Sequence, residues 1–427
     1  MQASESADFS SIAVSNETIL EHYRRVRKQT EEICQPLEIE DYVIQSMEDV
    51  SPAKWHLAHT TWFFETFVLG EFDGSYIALN ADYAFLFNSY YVQAGERFSR
   101  PHRGLLSRPT VREVYEYRAH VDEGMNTFLA SGELSEEMMR VITIGLNHEQ
   151  QHQELLVTDL KHVFSVNPLF PAYNRVPLDP HPVPPALSFI DVDEALVEVG
   201  HRGSKFHYDN EGPLHRQFIE AHSIANRPIT NAEYLAFVEA GGYANPLLWL
   251  SQGWSMVQEE GWTSPLYWRN DGDTWSEFTM HGKSILDLSS PATHLSYFEA
   301  DAYARWIGAR LPTEFEWENI AAGSSLTGHF SDELHFHPRL GDPDERGFIS
   351  LFGSIWEWTS SHYSPYPGYQ AEPGALGEYN GKFMSNQFIL RGGSCATPSD
   401  HIRKTYRNFF PSHARWQFAG IRLAKSG

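Results

Sequence analysis

The segment His148-Glu149-Gln150-Gln151-His152-Gln153-Glu154 constrains this chain more than any other stretch. Two histidines four residues apart, with a carboxylate two residues further on, make a metal half-site if the segment is helical. Residues i and i+4 share one face of an α-helix, so both imidazoles can converge on one ion. The local sequence favours that helix. Ser135 is a plausible N-cap, Glu136 and Glu137 suit the first turn, and no Gly or Pro interrupts the run from Leu146 to Val166. Spacing alone is not decisive, because His pairs at helical spacing also occur as ordinary surface residues.

A third ligand is available in the run from Asp49 to His59. Here Ser51 reads as an N-cap and Pro52 as the first helical residue, opening a helix that passes Trp62, Phe63, Phe64 and Phe67 and ends near Gly70. His56 and His59 both lie on it. His59, one turn before the aromatic run, is the more buried choice, with His56 as the alternative. A buried neutral histidine is costly without a partner, so a role is expected. Three neutral imidazoles leave open positions on a metal, which suits catalysis rather than a closed structural site. They fit Fe, Zn, Ni or Cu, so the ligands by themselves do not choose the metal.

A length of 427 residues implies two domains or one large one, and 41% hydrophobic content is enough to build cores. A net charge of −24 argues against nucleic acid, whose phosphates need clustered Lys and Arg, and against an anionic membrane surface. The start Met1-Gln2-Ala3-Ser4-Glu5-Ser6 lacks the basic and apolar regions of a signal peptide, and no stretch is apolar enough to span a membrane. Cys34 and Cys395 cannot form a disulfide framework and fit a reducing, cytoplasmic setting.

The texture changes along the chain. Residues 1–166 read as helical, with an amphipathic pattern over 16–35 and a capping box at Thr110 and Glu113. Four such helices predict an up-down bundle, a common place for a metal between helices. Residues 167–188 form a Pro-rich extended linker, with Pro168, Pro171, Pro177, Pro180, Pro182, Pro184 and Pro185. From 189 to 427, short apolar runs alternate with Gly, Asn and Asp turns. Helices are expected near 231–240 and 297–309, which together read as an α+β domain.

Several stretches of this second half carry a resemblance. They are Asn226-Arg227-Pro228-Ile229-Thr230-Asn231, Gly241-Gly242-Tyr243 with Trp249, and Ala309-Arg310-Leu311-Pro312-Thr313-Glu314-Phe315-Glu316-Trp317-Glu318. Gly353-Ser354-Ile355-Trp356-Glu357-Trp358-Thr359, Leu390-Arg391-Gly392-Gly393-Ser394 and Phe418-Ala419-Gly420-Ile421-Arg422 continue it. Together they resemble the formylglycine-generating-enzyme fold, a C-type-lectin-like module. The first half resembles DinB-like four-helix bundles, in which His59, His148 and His152 match the metal triad. The pairing is similar to the ergothioneine-biosynthetic sulfoxide synthases. That resemblance implies a mononuclear non-haem Fe(II) enzyme with O2 as co-substrate. It would join the sulfur of a cysteine-type thiol to the imidazole C2 of trimethylhistidine (hercynine), leaving a sulfoxide. The implied partners are therefore small molecules.

The resemblance also implies roles for individual residues. Tyr90 or Tyr91, in Asn88-Ser89-Tyr90-Tyr91, would be the proton donor, ahead of Tyr363, Tyr366 and Tyr369 near the Trp356-Glu357-Trp358 segment. Gln151 would touch the imidazole substrate, and Asn408 and Phe409 would help to hold trimethylhistidine, whose quaternary ammonium suits aromatic faces. Arg100 and Arg103 would grip the carboxylate of the thiol substrate. Relatives that use γ-glutamylcysteine carry an Asp two residues after the Asn and an Arg four residues beyond it. Here those positions are Phe410 and Ala414, and Arg415 is out of register, so free cysteine is the expected thiol.

Other readings fit less of the chain. A copper oxidase that makes formylglycine needs a cysteine pair where only Cys395 is present. A DinB-type Zn or Ni thiol transferase explains the bundle but not the second half. A histidine-using synthase of the ovothiol type usually carries a methyltransferase domain as well, and the chain ends at Gly427 without room for one. A selenium-using relative is a further alternative. A ligand-binding scaffold with a vestigial site is disfavoured by the intact histidine triad.

Overall fold

The computed structural model describes residues 18–427 apart from positions 133, 180 and 379. The N-terminal start and positions 16 and 17 of the amphipathic pattern lie outside the described residues. Contact clustering divides the chain into two compact units. The first comprises the described residues of 1–159, 201–209 and 371–379, and the second takes the rest of the described residues. Both short segments come from the part of the sequence read above as the second domain.

The first unit is built on four helices, Ile19–Cys34, Ala53–Phe64, Val111–Ala130 and Glu136–Val166. Local sequence explains their starts. Thr18 with Glu21, and Thr110 with Glu113, form reciprocal capping boxes, and Ser135 Oγ accepts from the Met138 amide. All twelve residues of Ala53–Phe64 are buried. A helix enclosed on every side lies at the centre of a bundle, and it must find partners for each polar group it carries.

Its start differs from the sequence reading. Pro52, not Ser51, is the residue before the first helical turn, and no side chain caps it. Ser51 serves other groups: its amide donates to Asp159 at 2.8 Å and its Oγ accepts from Arg103 at 2.8 Å. The far end passes Gly70. A π-helical turn over Glu65–Leu69 is followed by a helical turn over Gly70–Phe72. The wide turn places Glu65 to accept from both Tyr76 and Tyr117.

One buried carboxylate ties three helices together. Glu149, wholly enclosed, accepts from Arg27 at 2.9 Å, Arg118 at 2.7 Å and Thr30 at 2.7 Å. Burial would raise its pKa, yet Arg118 and Arg27 hold it down to about 2. Asp122 completes the network by accepting from Arg27 and Tyr23.

The second unit is layered α+β. His222–Ala225 is the central strand of an antiparallel sheet, flanked by Phe189–Val192 and by Ala424–Ser426 near the end of the chain. A four-stranded sheet runs in the order Asn408–Pro411, Gln387–Arg391, Trp356–His362, Ala419–Gly420. Among the described residues four α-helices accompany the sheets, two more than the sequence reading expected. Ser251–Glu259 has no side-chain cap to announce it. Glu314–Ala322 does have one, the Thr313–Glu316 box, inside a run read above only as a family motif.

The motifs behind the resemblance are largely the frame of this unit. Arg422 pairs with Glu357, both fully buried, and Trp317 Nε1 donates to the same carboxylate at 2.6 Å. Arg391 pairs with Glu318, Arg310 with Glu316 and Arg227 with Glu233. Gly392 has a φ of +103°, and a Cβ there would meet the Leu351 carbonyl oxygen at 2.7 Å, so only glycine fits. The Pro-rich stretch contains no helix or strand among its described residues, but it is not a free spacer. The Pro185 carbonyl accepts from Arg227, Ser188 donates to Asn226, and His181 pairs with Asp287. No helix among the described residues is long and apolar enough to cross a membrane.

The Glu149 network generates a stability prediction. Glu149→Ala strands two buried guanidinium groups, so urea unfolding of the full chain is expected to show a loss of about 3–5 kcal/mol. An unchanged unfolding midpoint would refute a structural role for this carboxylate.

Candidate metal centre

Two helices of the first unit bring three imidazoles together. His59 comes from Ala53–Phe64, and His148 and His152 come from successive turns of Glu136–Val166. One ring nitrogen from each lies within 4.8 Å of the other two, and this is the only such group of three His, Cys, Asp or Glu among the described residues. His59 Nε2 and His148 Nε2 are 3.3 Å apart. His59 Nδ1 is 2.6 Å from the Phe87 carbonyl oxygen, which only accepts, so Nδ1 carries the proton and Nε2 offers its lone pair to the triad. The His59 ring stacks on Trp55, centroids 4.5 Å apart, and on Trp62 at 5.5 Å.

Electrostatics keep the triad neutral. Burial pushes His59 and His152 well below the ordinary imidazole range, with neighbouring rings adding to the effect, and takes His148 down to about 3. Neutral, buried imidazoles with converging nitrogens fit a divalent metal with open positions.

His56 is buried on the same helix but is not in the triad. Its Nδ1 lies 2.9 Å from His152 Nδ1, and its Nε2 lies 3.0 Å from Asp159 Oδ2. Sequence reasoning missed Asp159. The signal was there, since Asp159 follows His152 by seven residues, two turns along the same helix face.

The segment between the second and third bundle helices supplies the next shell of the site. Tyr90 and Tyr91 stack with centroids 4.7 Å apart. Tyr91 is fully buried against Trp62 and Phe67, while Tyr90 is half-buried. Burial raises both phenol pKa values, so both hold their protons. Asn88 fixes the turn by accepting from the Tyr91 amide and donating to the Tyr91 carbonyl. Glu378, from segment 371–379 of the same unit, accepts from the amides of Val92 and Gln93, both at 2.9 Å. No local signal near Tyr90 points to Glu378, because the contact is long-range.

The two arginines of this segment differ. Arg100 is exposed and donates to the Asp49 carbonyl. Arg103 is only 3% exposed, its guanidinium carbon 3.3 Å from the Trp55 ring centroid. Its hydrogen bonds go to two hydroxyls, Ser51 at 2.8 Å and Ser89 at 3.2 Å, and its buried Nε has no partner. A buried cation held by hydroxyls is poised to receive an anion. Gln151, between the two helix histidines, is half-buried.

The remaining candidates belong to the second unit. Asn408, Phe409 and Phe410 lie half-buried on the edge strand Asn408–Pro411, in register with Leu390, Ile389 and Phe388. Asn408 Oδ1 accepts from the Phe409 amide, and the Phe409 ring stacks on Tyr363 at 4.0 Å. Phe410 packs near Trp416, and Ala414 is buried. Arg415 is committed to Glu299 at 2.7 Å and lies over Trp262. Tyr363 and Tyr366 are buried within this unit, Tyr366 donating to Glu314, and Tyr369 is half-buried.

Comparison with known proteins agrees with this architecture. Residues 22–156 match the DinB superfamily, and residues 191–341 and 335–427 match the sulfatase-modifying factor enzyme 1-like domain. The chain is 31% identical to hercynine oxygenase of Mycolicibacterium thermoresistibile, over 65% of this chain and 67% of that protein. It is 29% identical to hercynine oxygenase of Mycobacterium tuberculosis, over 66% of this chain and 71% of that one. Ergothioneine biosynthesis protein 1 of Schizosaccharomyces pombe is 28% identical over 52% of this chain and 28% of its own length. A DinB-type bundle bearing three converging histidines, continued by a sulfatase-modifying-factor-like domain, places this chain in the hercynine oxygenase family.

Proposed function

We propose that this chain is a hercynine oxygenase of ergothioneine biosynthesis that joins the sulfur of cysteine to the imidazole C2 of hercynine, using Fe(II) and O2. The observation that carries the reading is the buried triad of His59, His148 and His152 in a chain of this family. The reaction balances without another reductant. The C2–H and S–H bonds break, a C–S bond forms, one oxygen atom of O2 ends on sulfur and the other leaves as water.

Iron bound by the three imidazoles would supply the open positions and redox chemistry that thiol and O2 require. The protein's own groups do the rest. Arg103 receives the carboxylate of the thiol substrate, because the hydrogen bonds of its buried guanidinium go only to hydroxyls and leave Nε bare. Arg100, at the rim of the same turn, assists. Gln151 faces the imidazole substrate from the ligand helix; within the second unit, the half-buried Asn408 and Phe409 suit a trimethylammonium group. Tyr90 or Tyr91 donates a proton during O2 reduction. Burial keeps both protonated, and Tyr91 touches Trp62, which stacks on His59.

Free cysteine is the thiol we favour. An aromatic ring at Phe410 and a buried methyl at Ala414 offer no charge to a γ-glutamyl group, and Arg415 is already paired with Glu299.

Three outcomes are expected. Wild-type protein should bind one Fe(II) per chain, and His59→Ala, His148→Ala or His152→Ala should abolish it; stoichiometric iron by elemental analysis in any of them removes that residue from the ligand set. Reconstituted enzyme should consume O2 with hercynine and cysteine and release a C2 sulfoxide by mass. Turnover with γ-glutamylcysteine but not cysteine overturns the substrate assignment, and no coupled uptake with either overturns the function. A Tyr90→Phe/Tyr91→Phe double variant should lose sulfoxide formation by about a hundredfold or more while still binding iron. Unchanged product formation would move the proton donor elsewhere.

A further inference from the structure

Asp159, His56 and His152 stand in line in the first unit. His152 Nδ1 is 2.9 Å from His56 Nδ1, His56 Nε2 is 3.0 Å from Asp159 Oδ2, and the same Oδ2 accepts from the Ser51 amide at 2.8 Å. All are buried, with Asp159 4% and His56 3% exposed. We infer that Asp159 and His56 are positioning residues that fix the tautomer and ring plane of His152, so that its Nε2 lone pair is presented to the metal. This inference rests on the metal reading of the triad.

The argument is one of elimination along the chain of contacts. A carboxylate only accepts, so the proton on His56 sits on Nε2. A neutral His56 then has a bare Nδ1, which must accept in turn. The proton of His152 therefore sits on Nδ1, and its Nε2 is left with a free lone pair on the triad side. The reverse arrangement would set two lone pairs face to face at His56 Nε2 and Asp159, and would protonate the nitrogen that the metal needs. Ser51 N–H and the helix packing hold Asp159, so the order is imposed from the carboxylate inward. The relay also passes negative charge towards His152, which makes it a stronger donor. His59 gets its orientation from a backbone carbonyl instead, and the two helices thus solve the same problem by different means.

The test compares two substitutions of similar size at His56 in the full-length protein. His56→Asn keeps an acceptor where Nδ1 was, and His56→Leu does not. Co(II) titration followed by its ligand-field spectrum reads the site without turnover, and ¹⁵N–¹H correlation of labelled histidines reads the His152 tautomer. Expected are a 10–100-fold weaker Co(II) affinity and mixed tautomers in His56→Leu, with affinity near wild type in His56→Asn. Asp159→Leu should resemble His56→Leu. Equal loss in His56→Asn and His56→Leu, with both proteins folded by circular dichroism, would reduce the pair to packing and overturn the relay. Wild-type affinity in His56→Leu would overturn it as well while leaving the triad intact. Failure of the wild-type protein to bind Co(II) or Fe(II) would instead overturn the metal reading, and the relay with it.

Discussion

The Glu149 carboxylate is the contact on which the first unit depends. It lies beside His148 in sequence and is gripped by Arg27 and Thr30 of the first helix and Arg118 of the third. Rotating Glu136–Val166 about its axis would strip this buried carboxylate of its charged partners and take from Arg27 and Arg118 the wholly buried half of their pairing, which is costly in a low-dielectric interior. The rotation of the helix is therefore fixed, and with it the directions in which His148 and His152 point. Placement of the imidazoles thus depends on an ion-pair network anchored on the same helix.

Around the triad, polar groups are satisfied in a graded way. His59 is settled by a backbone carbonyl, and His152 by an imidazole backed by a carboxylate. Arg103 has two hydroxyls, a π face and a bare Nε. Ligand-holding groups need complete hydrogen bonding, since a mobile imidazole binds metal poorly. A substrate-binding cation gains from incomplete bonding, because the incoming carboxylate then supplies what is lacking. The contrast between His152 and Arg103 is the one that their proposed roles require.

In the second unit the roles are reversed. Of its most recognisable residues, Glu318, Glu357, Arg391 and Arg422 form ion pairs in the core with Trp317 donating to Glu357, while Arg227 and Arg310 pair with Glu233 and Glu316 nearer the surface. The motif identifies the fold because buried ion pairs tolerate no unilateral change. The residues given substrate roles, Asn408 and Phe409, lie instead on an edge strand, where a half-buried position can face a small molecule.

Periodicity and chemistry in the sequence determined a good deal: the four bundle helices, the placing of His148 and His152 on one helix face, and the two-domain family. Helix spacing is local, and capping boxes such as Thr110 with Glu113 mark its start within a few residues. Other features were decided only in three dimensions. His56 became a neighbour of His152, Ser51 gave up its cap position for Asp159 and Arg103, and Glu378 came to hold the amides beside Tyr91. Segments 201–209 and 371–379 joined the first unit. Each of these depends on which groups must be satisfied once water is excluded. That requirement is met between residues far apart in the chain, so no local pattern records it.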